Sequence, residues 1–409
     1  MKTFPGLWFS DLFLLPFYIR YLSPAEFGMI AVFYSISALL SGLFCQPGLE
    51  ISEKNKPEFS TCFWSRLFWG ISGAILAAFV FSFFGTKYLK IQALPYAFYF
   101  IVPILTLVSR LDKSGQSAFH WGKIAGVAVT IVLLAGWNLG VYAWLAGGIC
   151  AALFSSACAA FVYIRHGLLG FRFGKIGMFP RFSALPGALG NWALTFSGIL
   201  LVSRFLTLKN TGIYFSAFLL AGILPVMQEI KADRQFKLFP VLFSVHLAII
   251  LFSGEFFSLI SENYSSASTI TALLGAFFLL SIFYQKTAEA ADSPDRELIV
   301  ATGDMIAGAF CIYLGFHFIP FGLQAPILSM LCSSLVRIAW LAAWEFRSLD
   351  FDFFPLCPFL WYLTAAAASV VFLSNPPSAW MFLLKIAVFT LCVKLIFSSH
   401  GAREGGLVK

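Results

Sequence analysis

The chain has 409 residues, 60% of them hydrophobic and 11% charged, where a soluble domain carries roughly a quarter charged residues. With a mean hydropathy of +0.86 and no gap between apolar runs long enough for a soluble domain, it reads as a membrane protein. The net charge of +8 does not point to nucleic acid, because Lys and Arg are dispersed through short loops between the apolar runs.

Taken in chain order, the predicted spans are 5–22, 27–47, 64–84, 93–109, 122–137, 141–163, 184–205, 210–228, 239–260, 267–285, 298–318, 322–345, 357–374 and 378–398. Each is near the length of about 20 apolar residues that a bilayer core demands. The runs are continuous and do not alternate, so helices rather than a barrel are expected. Trp137-Asn138-Leu139-Gly140 and Ser374-Asn375-Pro376-Pro377 make tight hairpins, as their turn residues require. The N-terminus reads as the first transmembrane helix and not as a cleavable signal. Asp11 interrupts its apolar run, and no small-x-small site precedes Ser23-Pro24.

Orientation follows from the basic residues. Lys2, the loops after even-numbered spans and the tail hold 19 of the 27 Lys and Arg. The opposite side holds 5 (Arg20, Lys87, Lys90, Arg204, Lys209), and Arg337, Lys385 and Lys394 lie within spans. Both termini are therefore expected in the cytoplasm. The longest loop, 165–183, is on that charge-rich side and follows the sixth span.

An internal repeat supports a division there. Arg20-Tyr21-Leu22-Ser23 is followed after four residues by Gly28, and Arg204-Phe205-Leu206-Thr207 is followed after four by Gly212. An even number of spans per period keeps the orientation, so the two halves are expected to be parallel copies. The expected units are an N-terminal six-helix lobe over 1–164, a cytoplasmic linker over 165–183 and a C-terminal six-helix lobe over 184–346. An additional helix pair and tail occupy 347–409.

Nothing in the sequence points to an enzyme. The five histidines are scattered, no His/Cys/Asp/Glu set has metal-ligand spacing, and no glycine-rich loop follows a strand; no catalytic residue, metal or cofactor is expected. The eight cysteines form no Cys-x-x-Cys pair and read as apolar packing. What remains is the set of ionisable residues at membrane depth: Asp11, Glu255, Asp304, Arg337 and Lys385. Glu255, near a span end, reads as close enough to water to need no role. Asp11 is too short to snorkel, which leaves a cavity or ion-coupling role on one side and a structural partner for an Arg or backbone amide on the other. Arg20 and Arg204, near helix ends, can snorkel to the interface. Pro16 removes the backbone bond to Leu12 and is a hinge candidate, as is Pro103 in the fourth span; inert transmembrane prolines are the alternative.

The stretch from Leu14 through Pro16, Arg20-Tyr21-Leu22-Ser23-Pro24-Ala25-Glu26-Phe27 to Gly28 resembles the N-terminal signature of polysaccharide-exporting flippases, with Phe27 where Tyr is usual. Asn191 through Arg204 to Gly212-Ile213-Tyr214 is similar to the same family's seventh-to-eighth helix turn. The family is the O-antigen (Wzx-like) branch of the multidrug/oligosaccharidyl-lipid/polysaccharide exporter superfamily. The resemblance implies an all-α integral membrane protein of about fourteen transmembrane helices, with twelve as the alternative count. Two parallel-repeat six-helix lobes would enclose a central cavity, with two C-terminal helices added.

It implies alternating access and a polyprenyl-diphosphate-linked oligosaccharide as cargo, flipped across the bacterial inner membrane for surface polysaccharide (O-antigen, capsule or exopolysaccharide). Membrane lipids and the glycan polymerase or ligase machinery are the implied partners. On that reading Arg20, Arg66 and Arg204 are candidates for the diphosphate headgroup, and Asp11 for coupling to proton or sodium movement. The first helix begins closer to Met1 than is usual in the family.

The rivals are a multidrug/cation antiporter of the same superfamily, a major-facilitator transporter and a membrane glycan polymerase. The Arg-Tyr-Leu-Ser-Pro turn argues against the first. The loop Glu50-Ile51-Ser52-Glu53-Lys54-Asn55-Lys56-Pro57 lacks the Gly- and Arg-rich turn of the second, and a large outer loop suited to the third is missing.

Overall fold

A computed structural model describes residues 5–44, 93–109, 113–167, 185–225, 235–290, 296–345 and 379–406, with scattered helical positions between 63 and 82. The predicted span 357–374 and most of the 165–183 linker lie outside the described residues. Among the described residues there is no strand. Among the described residues, twelve helices run as α1 (Pro5–Tyr21), α2 (Pro24–Phe44), α3 (Ala93–Ser109), α4 (Lys113–Ala135), α5 (Val141–Arg165), α6 (Leu185–Phe205), α7 (Leu208–Ala221), α8 (Gln235–Ile260), α9 (Ala267–Ala290), α10 (Arg296–Phe318), α11 (Ala325–Glu345) and α12 (Ala379–Gly406). The largest departure from the predicted boundaries is α4, which starts nine residues before the expected 122. The polar segment Lys113-Ser114-Gly115-Gln116-Ser117 hides its first turns from a hydropathy reading.

Length and apolarity make this a multi-pass membrane protein. Stretches such as Val141–Arg165 and Trp380–Ser398 have mean hydropathies of 2.0 and 2.1. Trp137 and Trp380 are exposed near one end of the bundle and Trp121 and Trp344 toward the other, as expected of aromatic belts at two interfaces.

The two central helices are distinguished by burial. Among the described side chains of α1, Asp11, Leu14, Leu15, Tyr18 and Ile19 are buried, while Phe13, Pro16 and Arg20 are exposed: one face of a 3.6-residue period. In α2 every residue from Phe27 to Ile36 is buried, and in α7 every residue from Thr211 to Ala221. A helix apolar all round and buried all round is enclosed by protein. α2 packs against α7 more extensively than against any other helix.

The helix starts repeat. Pro24 of α2 and Leu208 of α7 are separated by 184 positions (208 − 24), and so are Val141 of α5 and Ala325 of α11 (325 − 141). The two copies of the repeated turn also lie against each other. A Cβ on Gly28 would run into the carbonyl of Leu208, and one on Gly212 into the carbonyl of Pro24, the position related to Leu208 by the same offset. Hydrogen at both glycine Cα atoms is what lets the backbones of α2 and α7 touch reciprocally. Below this crossing the seam continues in aromatic contacts, Phe27–Phe215 and Tyr34–Phe215 at 5.3 Å each and Tyr34–Phe196 at 6.1 Å. Two hydrogen bonds cross from α2 to α6: Ser35 Oγ donates to the Phe196 carbonyl (3.2 Å), and Trp192 Nε1 donates to the Ser35 carbonyl (2.9 Å).

The Ser and Thr of the repeat are helix caps. The Glu26 N–H donates to Ser23 Oγ at 3.3 Å, while Glu26 Oε2 accepts from the Ser23 N–H at 2.9 Å and from its hydroxyl at 2.8 Å. This is a reciprocal capping box with Pro24 at the first helical position. Thr207 Oγ1 accepts from the Asn210 N–H at 3.1 Å, opening α7. Ser23→Ala and Thr207→Ala should each cost about 1 kcal/mol, read as a lowered thermal midpoint of the solubilised protein, while Ser23→Thr should leave it nearly unchanged.

The turns on this charge-poor side are tied together. Tyr264, buried between α8 and α9, donates its hydroxyl to the Leu22 carbonyl at 3.2 Å and packs its ring against Phe27 at 6.2 Å. The predicted hairpin at 137–140 is present. Gly140 adopts φ +58°, and a Cβ there would strike the Glu26 carboxylate.

Candidate functional site

Asp11 sits on the buried face of α1 with 8% exposure. Its Oδ1 accepts from the Tyr18 hydroxyl at 3.3 Å, two turns along the same helix, and from Trp144 Nε1 of α5 at 3.5 Å. Lys123 of α4 and the Tyr34 hydroxyl of α2 lie close enough to act on it through their charge or dipole. The Lys123 ammonium also stands over the Phe119 ring, 4.7 Å from its centroid. Counted as a loop charge in the sequence, Lys123 is ten residues inside α4, about 15 Å along the axis. The site therefore draws on four helices, α1, α2, α4 and α5. Of its members only Asp11 stood out in the sequence. Tyr18 lay unremarked within the Leu14–Gly28 stretch, and no local signal marks Trp144.

The position related to Asp11 by the 184-residue offset is Thr195 of α6, a buried hydroxyl. The acid thus belongs to one half of the chain alone.

The other predicted residues separate. Arg20 and Arg204 occupy the last turns of α1 and α6 and are exposed at the charge-poor end. There each also complements the negative C-terminal end of its helix dipole. The structure does not bring them to Asp11. Arg66 lies outside the described residues, as does the side chain of Pro103 within α3. Pro16 is exposed, and α1 runs through it without a break.

Four other intramembrane charges form two pairs. Arg337 of α11 pairs with Asp304 of α10 at 3.3 Å and lays its guanidinium over the Tyr284 ring of α9, 3.8 Å from the centroid. Lys385 of α12 pairs with Glu255 of α8. The sequence reading of Glu255 as a residue needing no role is corrected here: it receives the charge that α12 carries into the bundle. Both pairs cross between helices and so tether α10 to α11 and α12 to α8. Burying one member alone would strand a charge at membrane depth.

Over residues 18–246, more than half of its length, the chain matches the family model described as polysaccharide biosynthesis protein. It belongs to that family. The matched region contains both copies of the repeated turn, the α2–α7 crossing and three residues of the Asp11 environment, Tyr34, Lys123 and Trp144, with Tyr18 at its first position. No curated protein matches the sequence. Among solved structures, this polysaccharide biosynthesis protein is similar to "Lipid II flippase MurJ, inward closed conformation". The TM-score is 0.57 at 14% identity, covering 99% of each chain. At that identity the likeness is one of fold, and it extends from end to end. That fold is all-α, in keeping with the integral membrane architecture expected from the sequence.

Proposed function

We propose that the protein flips a polyprenyl-diphosphate-linked oligosaccharide from the inner to the outer leaflet of the bacterial inner membrane, supplying O-antigen, capsule or exopolysaccharide assembly. The observation that carries this reading is the match to polysaccharide biosynthesis proteins joined to the fold of a lipid-linked glycan flippase. The cargo's diphosphate and hydroxyls cannot cross hydrocarbon unaided, while its polyprenyl tail can remain in lipid. Two lobes, 1–164 and 184–346, joined by 165–183 and followed by the 347–409 pair, would alternate access around a cavity. The charge asymmetry of the loops supports both termini in the cytoplasm, so the α2–α7 crossing closes the outward end. Arg20 and Arg204 would then meet the diphosphate at that end and Arg66 at the cytoplasmic side. Asp11 is the coupling residue of this reading, and Pro16 and Pro103 are its hinges. Polymerase or ligase machinery would take the product.

The test is a deletion strain assayed for surface polysaccharide and for its lipid-linked precursor pool. Loss of surface glycan with precursor accumulating on the cytoplasmic leaflet is the expected result. Intact glycan, an unchanged pool and new drug sensitivity would replace this reading with a multidrug/cation antiporter. In the same strain Asp11→Ala should insert normally yet fail to restore surface glycan; full restoration would remove Asp11 from coupling.

A further inference from the structure

We propose that Asp11 takes up a proton and excludes alkali cations, with Tyr18 and Trp144 as the residues that hold its carboxylate for that choice. This rests on the reading of Asp11 as the coupling group.

The polar atoms turned on the Asp11 carboxylate are donors. Tyr18 presents its hydroxyl and Trp144 its indole N–H, both to Oδ1 at 3.3 and 3.5 Å. An indole N–H offers no lone pair to a cation, and a lysine ammonium offers none either. The charged and titratable groups that face Asp11 are Tyr18 from α1, Tyr34 from α2 and Lys123 from α4. Lys123 brings a positive charge, which acts on any second cation, proton or sodium alike, so the choice between them falls to the ligand atoms. Asp11 belongs to no group of three or more His, Cys, Asp or Glu side chains able to hold a metal ion among the described residues.

Transporters that bind sodium commonly recruit carbonyls from unwound helix. α1 is continuous from Pro5 to Tyr21. The carbonyl its proline releases is that of Leu12, directed toward Pro16. Pro16 is exposed and stands about 140° around the helix from Asp11, so that carbonyl lies off the Asp11 face. Among the described groups, a sodium ion here would meet the carboxylate and the Tyr18 and Tyr34 hydroxyl oxygens, without the carbonyls of an unwound helix.

A proton needs one oxygen. With Oδ1 held by two donors, the O–H bond forms at Oδ2, taking its proton from water and returning it there. Tyr18 also connects the site to the seam: its ring packs at 5.3 Å against Phe27, which contacts Phe215 of α7. The side chain that holds Asp11 thus also touches the crossing of α2 and α7.

The experiment uses the purified full-length protein in lipid nanodiscs. The carboxylic-acid C=O band is followed by infrared difference spectroscopy while pH is stepped, in sodium chloride and in choline chloride at equal ionic strength. Binding of radiolabelled sodium is measured in parallel. We expect a band that appears in acid and disappears in base, identically in both salts, is lost in Asp11→Asn and is retained in Asp11→Glu. Tyr18→Phe and Trp144→Phe should each displace its titration; no displacement in either would remove their positioning role. Saturable sodium binding that Asp11→Asn abolishes, or a titration shifted by sodium, would overturn the proposal. Cell complementation separates it from the coupling reading. A titrating Asp11 band with Asp11→Asn still restoring surface glycan supports the proton site and defeats coupling. Sodium binding at Asp11 with loss of glycan in Asp11→Asn does the reverse.

Discussion

Replacing Gly28 or Gly212 by Ala is expected to destabilise the protein by about 1–3 kcal/mol, the usual cost of overpacking a close contact, and to lower or abolish surface polysaccharide. The reason is geometric. The obstacles to the new methyl groups are the backbone carbonyls of Leu208 and Pro24, which cannot swing aside as a side chain would. The two helices must instead separate along the seam. One separation relieves both clashes, so the double variant should cost clearly less than the two single costs added together. Gly254→Ala is the control. It lies in α8, and the nearest atom to its new methyl group would be Ser268 Cβ at 4.0 Å, so it should be neutral or stabilising by up to about 1 kcal/mol through helix propensity. Thermal unfolding of the solubilised variants reads these differences. Single variants as stable as the parent, or strictly additive losses, would mean that α2 and α7 do not meet through these two glycines.

The second large effect is expected at Arg337. Arg337→Ala leaves the Asp304 carboxylate buried without its counter-ion and should cost about 3–5 kcal/mol, as losses of one member of a buried pair do. Arg337→Lys should recover little of this. A lysine keeps the charge but not the planar group that lies 3.8 Å over Tyr284 while reaching Asp304 at 3.3 Å. Joint replacement, Asp304→Leu with Arg337→Met, should return most of the stability because no charge is then stranded. Denaturant unfolding in mixed micelles measures all three. If the joint variant also restores surface glycan, the pair is a structural tether. Recovery of stability without recovery of glycan would assign it a role in transport.

How much was legible beforehand is clearest at individual residues. The turn at 20–28 was recognisable because its parts act locally: Ser23 and Glu26 cap the helix they begin, and Pro24 opens it. The same holds for Ala93–Ser109, whose predicted and observed ends coincide. Gly28 and Gly212 were visible as a repeat, but their reason was not, since each is required by the other across 184 positions. Asp11 drew attention as an acid in an apolar run, whereas of its neighbours only Tyr18, seven residues on, shares its helix, and Lys123 and Trp144 come from two others. Glu255 looked dispensable until Lys385 of the final helix was found beside it.

By itself, then, the sequence determined that this chain lives in a membrane, where most of its helices begin and end, and that its two halves repeat. Those properties follow from runs of about 20 apolar residues and from caps and turns, each decided within a few neighbouring positions. Tertiary structure alone decided which buried charges meet, which arginines stay at the surface and which backbones touch. These depend on how each helix is rotated about its own axis and on which helix stands beside it. In a bilayer that rotation is set by packing against distant segments, and a residue's own neighbours in the chain carry no record of it.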